Sequence, residues 1–281
     1  MMKNIPTFVK WAGGKRQLLE QFKPYFPKTV KRYFEPFVGG GAVALYIIKH
    51  YKPKEVYLSD SNEELINTYK VIRDNVEELI THLKTYKEKH SKEFYYKIRA
   101  EDPKTLSDMS RAVRFIYLNK TCFNGLYRVN SKGGFNVPIG SYKNPAIVND
   151  NELREIAQLL TKAKIAAGQF YDIQNRIKKG DFAYFDPPYY PIKKDSFTAY
   201  TKESFLEKEQ KRLADLFKKL DIKGAKVMLS NSDSEIIKGL YRGYSIGVVK
   251  ASRMINCDAK GRGKINEVVI TNYEPTPKSH L

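Results

Sequence analysis

The spacing of hydrophobic positions changes twice along the chain and divides it into three stretches. Residues 30–37 read as a strand that breaks into Val38-Gly39-Gly40-Gly41, after which Ala42-Val43-Ala44-Leu45 opens a helix. Glu55-Val56-Tyr57-Leu58-Ser59-Asp60 then predicts a second strand that ends on an acid. This is a βαβ half-unit with a glycine turn. From Glu63 the period becomes helical: Leu65, Tyr69, Ile72, Val76, Leu79, Ile80, Leu83 and Tyr86 fall on one apolar stripe, and further helical pattern covers 94–99 and 109–119. Two turn signals follow, Asn124-Gly125 and Lys132-Gly133-Gly134, and the flanking 121–130 and 135–138 predict the arms of a β-hairpin.

After residue 146 the α/β alternation returns. A helix is predicted over 151–162, a strand over 182–186, a long amphipathic helix over 204–220 and a strand over 225–230. The chain closes with an antiparallel pair, 244–251 and 268–273, joined by a Gly-rich basic stretch over 253–264 that fits phosphate contact or a plain connection. The order predicts one doubly wound α/β domain, residues 1–62 and 147–281, interrupted by a helical plus β-hairpin module over 63–146.

Charge narrows the partners. Fifty Lys and Arg against 31 Asp and Glu give a formal net charge of +19 and a pI near 9.6. Nucleic acid is the economical partner for such a chain, ahead of a merely solvated surface or a membrane-surface role. No apolar run approaches the roughly 18 residues of a membrane span, and residues 1–15 lack a signal-peptide core, so a soluble, cytoplasmic protein is expected. Cys122 and Cys257 have no second Cys or His at ligand spacing, and His50, His82, His90 and His280 are scattered. Neither a disulfide nor a metal is expected.

The candidate chemistry lies at strand ends. Asp186-Pro187-Pro188-Tyr189 follows the apolar Ala183-Tyr184-Phe185, so a carboxylate emerges where open α/β sheets place their ligand crevice. Two prolines without N–H groups then end the ladder and stiffen the turn. A carboxylate, a proline-held carbonyl and an aromatic face can grip a planar amino group such as that of a nucleobase, although a strand-ending loop has the same letters. Asp60, about 20 residues beyond the glycine turn, is placed to accept hydrogen bonds from a ribose. That pairing fits a dinucleotide as well as an adenosyl cofactor. A hairpin bearing Arg128, Asn130, Lys132 and aromatic tips matches a DNA groove in width and chemistry, or else packs on the neighbouring helices.

Taken together, Phe8-Val9-Lys10-Trp11-Ala12-Gly13-Gly14-Lys15, Glu35-Pro36-Phe37-Val38-Gly39-Gly40-Gly41, Asn124-Gly125-Leu126-Tyr127-Arg128, Phe135-Asn136-Val137-Pro138 and Asp186-Pro187-Pro188-Tyr189 resemble the Dam-type (alpha group) DNA adenine-N6 methyltransferases. The likeness covers nearly the whole chain in the family's order, and is strongest to the GATC-modifying methylases of restriction–modification systems. It implies S-adenosylmethionine as cofactor without a metal, a target-recognition insertion, double-stranded DNA as partner and methylation of a flipped-out adenine in GATC. By that resemblance Trp11, Ala12, Gly14, Lys15, Phe37, Gly39, Gly41, Asp60 and Phe170 match cofactor positions, with Asp186 shared between cofactor and catalysis. Pro187, Pro188 and Tyr189 complete the catalytic motif. Lys10, Asn124, Leu126, Arg128, Pro138 and Tyr142 match base-reading positions, and Phe123 or Leu126 is placed to prise open or fill the gap in the duplex. One departure stands out: relatives often carry Asp-Phe or a similar polar pair where this chain has Gln169-Phe170.

Three rivals remain at this point. A nicotinamide-dependent oxidoreductase would explain the glycine turn but not the charge, a catalytically inactive DNA-binding regulator would leave both ligand motifs without use, and the protein-glutamine methyltransferases resemble Asn-Pro-Pro-Tyr where this chain has Asp186. Oligomeric state is not legible.

Overall fold

Pro36 brings no N–H to a ladder, and the strand predicted over 30–37 is accordingly short, Arg32–Glu35. The computed structural model describes residues 5–191, 205, 207–252 and 264–276. In chain order its principal elements are α1 (Leu19–Phe22), β1 (Arg32–Glu35), α2 (Ala42–Tyr51), β2 (Glu55–Asp60), α3 (Glu63–Asp74), α4 (Val76–Glu88), α5 (Lys92–Ala100), α6 (Asp108–Thr121), α7 (Asp150–Leu160), β3 (Ala163–Ala167), β4 (Phe182–Phe185), α8 (Glu207–Ile222), β5 (Lys226–Ser232), α9 (Glu235–Leu240), β6 (Ser245–Ser252) and β7 (Lys264–Thr271). They fall into two compact units: Met1–Lys15, Gly39–Lys49 and Asp60–Ala167 form the first, and Arg16–Val38, His50–Ser59 and Gly168–Leu281 the second.

The first unit is mainly helical and is built around α6, whose Ala112, Val113, Phe115, Ile116, Tyr117 and Leu118 are buried. The single helical stripe expected over 65–86 is two helices. Asn75, at φ −141° and ψ 42°, ends α3 and starts α4. Asn62 starts α3 by accepting from the Leu65 amide at 3.1 Å, with Glu63 and Glu64 in the first turn, where the helix dipole favours acids. Arg114 is buried in α6 and spends its guanidinium on the last carbonyls of α5, those of Ile98 (3.0 Å), which also accepts from the Glu101 amide, and Arg99 (2.9 Å).

Two expectations need correction here. The hairpin over 121–138 has isolated antiparallel bridges, Cys122↔Ile139 and Val129↔Phe135, instead of continuous arms. The reason is local: Phe123–Gly125 is a 3₁₀ turn containing Asn124 at φ +54°, and Pro138 has no donor for a ladder. The helix predicted over 151–162 stops at Leu160, and β3 follows. Its Ala-Lys-Ile-Ala-Ala sequence has one β-branched residue and gave no strand signal.

Within the second unit the sheet runs β2-β1-β4-β5-β7-β6. β1 is parallel to β2 and β4, β4 is parallel to β5, and β7 runs antiparallel to both β5 and β6. The terminal pair is therefore as the alternation predicts. All four residues of β4 are buried, which accounts for its unbroken apolar letters. Leu213, Leu216, Phe217 and Leu220 of α8 pack into one core with Phe34, Ala183, Phe185, Val227, Leu229, Val268 and Ile270. Residues 253–263 of the predicted basic stretch, and Ser204 at the start of the predicted helix, lie outside the described residues.

Candidate active site and DNA interface

In the first unit the glycine turn is explained by packing as well as by conformation. Gly39 and Gly41 have φ of +47° and +73°, a region that L side chains rarely adopt. A Cβ at Gly39 would lie 2.9 Å from Trp11 Nε1, and one at Gly41 would strike the Tyr69 hydroxyl. That hydroxyl donates to the Gly39 carbonyl at 2.9 Å. Asp60 closes the turn by accepting from the Gly39 amide (3.1 Å) and the Asn62 amide (3.0 Å). Burial pushes its carboxyl above the usual range, opposed by the backbone N–H groups of Asn62, Gly39 and Ser61.

Trp11 stacks on Tyr127 at 5.9 Å between ring centroids. Lys15 is 4% exposed, and its ammonium donates to the Gly13 carbonyl, while Ala12 and Gly14 are exposed. The Gly14 amide donates to the Trp11 carbonyl at 3.1 Å.

The residues matched to base reading lie on the same unit, and a residue missed in the sequence ties them together. Asn119, fully buried in α6, accepts from the Lys10 amide (2.7 Å) and donates to the carbonyls of Lys10 (2.8 Å) and Gly125 (3.0 Å). Its signal was a polar amide within an apolar helical face. Lys10 Nζ sits 3.9 Å from the Tyr142 ring centroid, a cation–π contact. Arg128 is exposed, and its Nε donates to Asn136 Oδ1 at 2.7 Å. Phe123, Asn124 and Pro138 are exposed, whereas Leu126 is half-buried and its carbonyl accepts from the Cys122 thiol at 3.2 Å. Burial pushes that thiol up to about 11, so it is no nucleophile near neutral pH.

The second unit holds the acid-proline turn. Asp186 follows β4 directly and is half-buried, with Pro187 buried and Pro188 exposed. Asp186 Oδ1 accepts from the Ser230 hydroxyl at 2.8 Å, and Ser230 Oγ lies 2.8 Å from the Tyr184 hydroxyl. Ser230 spends its one proton on the carboxylate, so Tyr184 must donate to Ser230. Burial above all, and then the Asp186 charge, pushes the Tyr184 phenol well above its ordinary value, which keeps that proton in place.

Tyr189 donates to Glu267 Oε2 at 2.8 Å. Its phenol too is pushed well up, by burial first and then by the Asp186 and Glu267 carboxylates. Phe37 stacks on Phe170 at 5.5 Å and 22°, with Phe205 edge-on to both. Beside Phe170, the backbone amide of Gln169 donates to Asp172 Oδ2 at 2.8 Å. The departure at Gln169 thus begins a 3₁₀ turn, Phe170–Asn175.

Among the described residues no group of three or more His, Cys, Asp or Glu is placed to hold a metal ion, and no helix is long and apolar enough to cross a membrane. Comparison with known proteins matches residues 11–255 to the D12 class N6 adenine-specific DNA methyltransferase family. The chain is 46% identical to the type II methyltransferase M.MjaIII of Methanocaldococcus jannaschii, over 96% of this chain and 99% of that one. It is 43% identical to the type II methyltransferase M1.LlaDCHI of Lactococcus lactis subsp. cremoris, over 96% of each. It is 34% identical to the DNA adenine methylase of Escherichia coli K12, over 98% of this chain and 97% of that one. A match of this extent, over nearly the whole of each chain, makes the protein an enzyme of the D12 class of N6 adenine-specific DNA methyltransferases.

Proposed function

We propose that the enzyme transfers the methyl group of S-adenosylmethionine to N6 of an adenine flipped out of double-stranded GATC. The observation that carries the chemistry is Asp186, fixed at a strand end by Ser230 and followed by two prolines. The N6 lone pair of adenine is delocalised into the ring and is a poor nucleophile. Acceptance of the two amine hydrogens by the Asp186 carboxylate and the Pro187 carbonyl draws the nitrogen toward a tetrahedral geometry. The same carboxylate stabilises the positive charge that develops on nitrogen as it attacks. Tyr189 offers the base a stacking face, because a stacked base inside the duplex is out of reach.

The side chains present fit the cofactor. In the first unit Lys15 supplies an ammonium suited to a carboxylate and Asp60 a carboxylate suited to ribose hydroxyls; in the second, the stacked Phe37–Phe170 pair is an apolar face suited to an adenine ring. Trp11, Ala12, Gly14, Gly39 and Gly41 would line the remainder. When bound, the cofactor supplies a sulfonium methyl; positioning the amine and excluding water are the work of the protein.

Residues 63–146 are assigned as the target-recognition insertion, and 1–62 with 147–281 as the catalytic domain. Lys10, Asn124, Leu126, Arg128, Pro138 and Tyr142 read the site. Of the two wedge candidates Phe123 is favoured, being 44% exposed where Leu126 is half-buried. Two relatives bear the name type II methyltransferase, which supports a restriction–modification setting.

Specificity is tested at Arg128. Arg128 Nε donates to Asn136 Oδ1 at 2.7 Å and Nη2 to the Asn136 carbonyl at 3.4 Å, so Nη1 and the second Nη2 hydrogen are the donors left for guanine O6 and N7, a pairing that discriminates by roughly 1–3 kcal/mol. Arg128→Ala is expected to lower the single-turnover rate on GATC while sites altered at one position change little, so that specificity relaxes. An equal loss on every sequence would assign Arg128 to phosphate. Affinity for DNA is also expected to fall steeply with salt, since a +19 chain that neutralises several phosphates releases condensed counterions. A flat log–log plot between roughly 50 and 200 mM salt would contradict DNA as the partner.

A further inference from the structure

A glutamine occurs where α8 should be apolar. Gln210 is 0% exposed, on the helix face that otherwise buries Leu213, Ala214, Leu216, Phe217 and Leu220. Burial of an amide is costly unless its donor and acceptor are both engaged. Both are engaged here: Nε2 donates to the Pro188 carbonyl at 2.9 Å, and Oε1 accepts from Asn231 Nδ2 at 3.0 Å. Asn231 is also 0% exposed, and its Oδ1 accepts from the Tyr190 amide at 3.2 Å and the Ser232 amide at 2.8 Å. A continuous chain of hydrogen bonds therefore runs from the Pro188 carbonyl through Gln210 and Asn231 to the Tyr190 amide.

The chain answers a problem that the prolines create. Pro187 and Pro188 lack N–H groups, so the turn after Asp186 cannot be fastened by its own donors there. It is fastened by the Pro188 carbonyl and the Tyr190 amide, on either side of Tyr189. The bond to Gln210 turns the Pro188 carbonyl toward α8 and occupies one of its two lone pairs, which favours the Pro187 carbonyl as the one that serves the amine.

We propose that Gln210, acting through Asn231, is a positioning residue for methyl transfer: it sets the pose of the Asp186–Tyr190 turn and thereby which carbonyl the amine meets. The inference rests on the reading that Asp186 and Pro187 grip the adenine amine. A merely structural glutamine would protect the fold and leave the chemistry of the folded enzyme untouched, whereas misplacement of a reacting group by about 1 Å can cost roughly a hundredfold in rate.

The test compares full-length wild type, Gln210→Met, Gln210→Leu and Asp186→Ala, assayed well below each variant's Tm. Single-turnover methyl transfer on a GATC duplex is measured with KM for S-adenosylmethionine and for DNA. Methionine keeps the length and helix preference of glutamine without its hydrogen bonds, and Gln210→Leu takes its place should Gln210→Met not fold. The expected result is a single-turnover rate roughly ten- to a hundredfold lower with both KM values changed by less than about threefold. A folded variant with a normal rate overturns the proposal, as does failure of both variants to fold, which would assign Gln210 to stability. An inactive Asp186→Ala beside a normal Gln210→Met would sink this inference alone, whereas an active Asp186→Ala would remove the amine grip and the inference with it.

Discussion

Asp186→Ala is expected to abolish methyl transfer, by a factor of 10² or more in single-turnover rate, while S-adenosylmethionine and DNA still bind. The magnitude is that of removing one transition-state stabiliser. The separation from binding follows because the carboxylate's main task is the reacting amine, and the other residues matched to the cofactor remain in place although Asp186 is matched to it too. Asp186→Asn sharpens the test. The asparagine carbonyl can still accept from Ser230, which in the native chain donates to Asp186 Oδ1 at 2.8 Å, but its NH2 replaces the oxygen left to accept from the amine and the negative charge is gone. A comparable loss in both variants locates the effect in the charged acceptor that faces the amine and not in the bond from Ser230. Near-normal turnover in either would take Asp186 out of the mechanism.

Asp60→Ala is expected to weaken the cofactor instead. If the ribose hydroxyls bond to this carboxylate, their loss costs roughly 1.5–3 kcal/mol, about ten- to a hundredfold in affinity by equilibrium dialysis. The structure adds a second consequence. Asp60 also accepts from the Gly39 amide of the glycine turn and the Asn62 amide at the start of α3, so the variant leaves two backbone donors without that acceptor and should lower Tm. Both readouts are therefore needed: a lower Tm with unchanged affinity would make Asp60 a turn closure only.

Strand ends and punctuating residues were legible because their letters are restrictive. An unbroken apolar run before Asp186 fits a strand buried on both faces, as β4 is, and the prolines after it have no N–H to continue a ladder. The acid at the end of β2 and the glycines before α2 were equally plain. What the glycines accommodate was not. Their missing Cβ atoms make room for Trp11 and for the Tyr69 hydroxyl, contacts far apart in sequence.

The same limit applies to the residues that hold the site. Asn119, Gln210 and Asn231 are buried polar groups that bond backbone atoms of distant turns, and buried Ser230 bonds the Asp186 carboxylate. A single sequence shows each as a polar letter in an apolar pattern, and only the fold shows what it fastens. β3 failed for the opposite reason: alanine and lysine carry no strand preference, and tertiary pairing overrode the local letters. The hairpin was half legible, since the turn residues were read correctly but the Pro138 arm could not complete a ladder.

The reading that joins these parts is methyl transfer to adenine N6 within GATC, and one digestion tests it most directly. Plasmid DNA is incubated with the purified chain and S-adenosylmethionine, then cut in parallel with two GATC nucleases, one blocked by adenine methylation and one that requires it. The expected result is protection from the first and new cleavage by the second, both lost with Asp186→Ala. Unchanged cleavage by both, from an enzyme that still transfers methyl groups to DNA, would contradict GATC as the site.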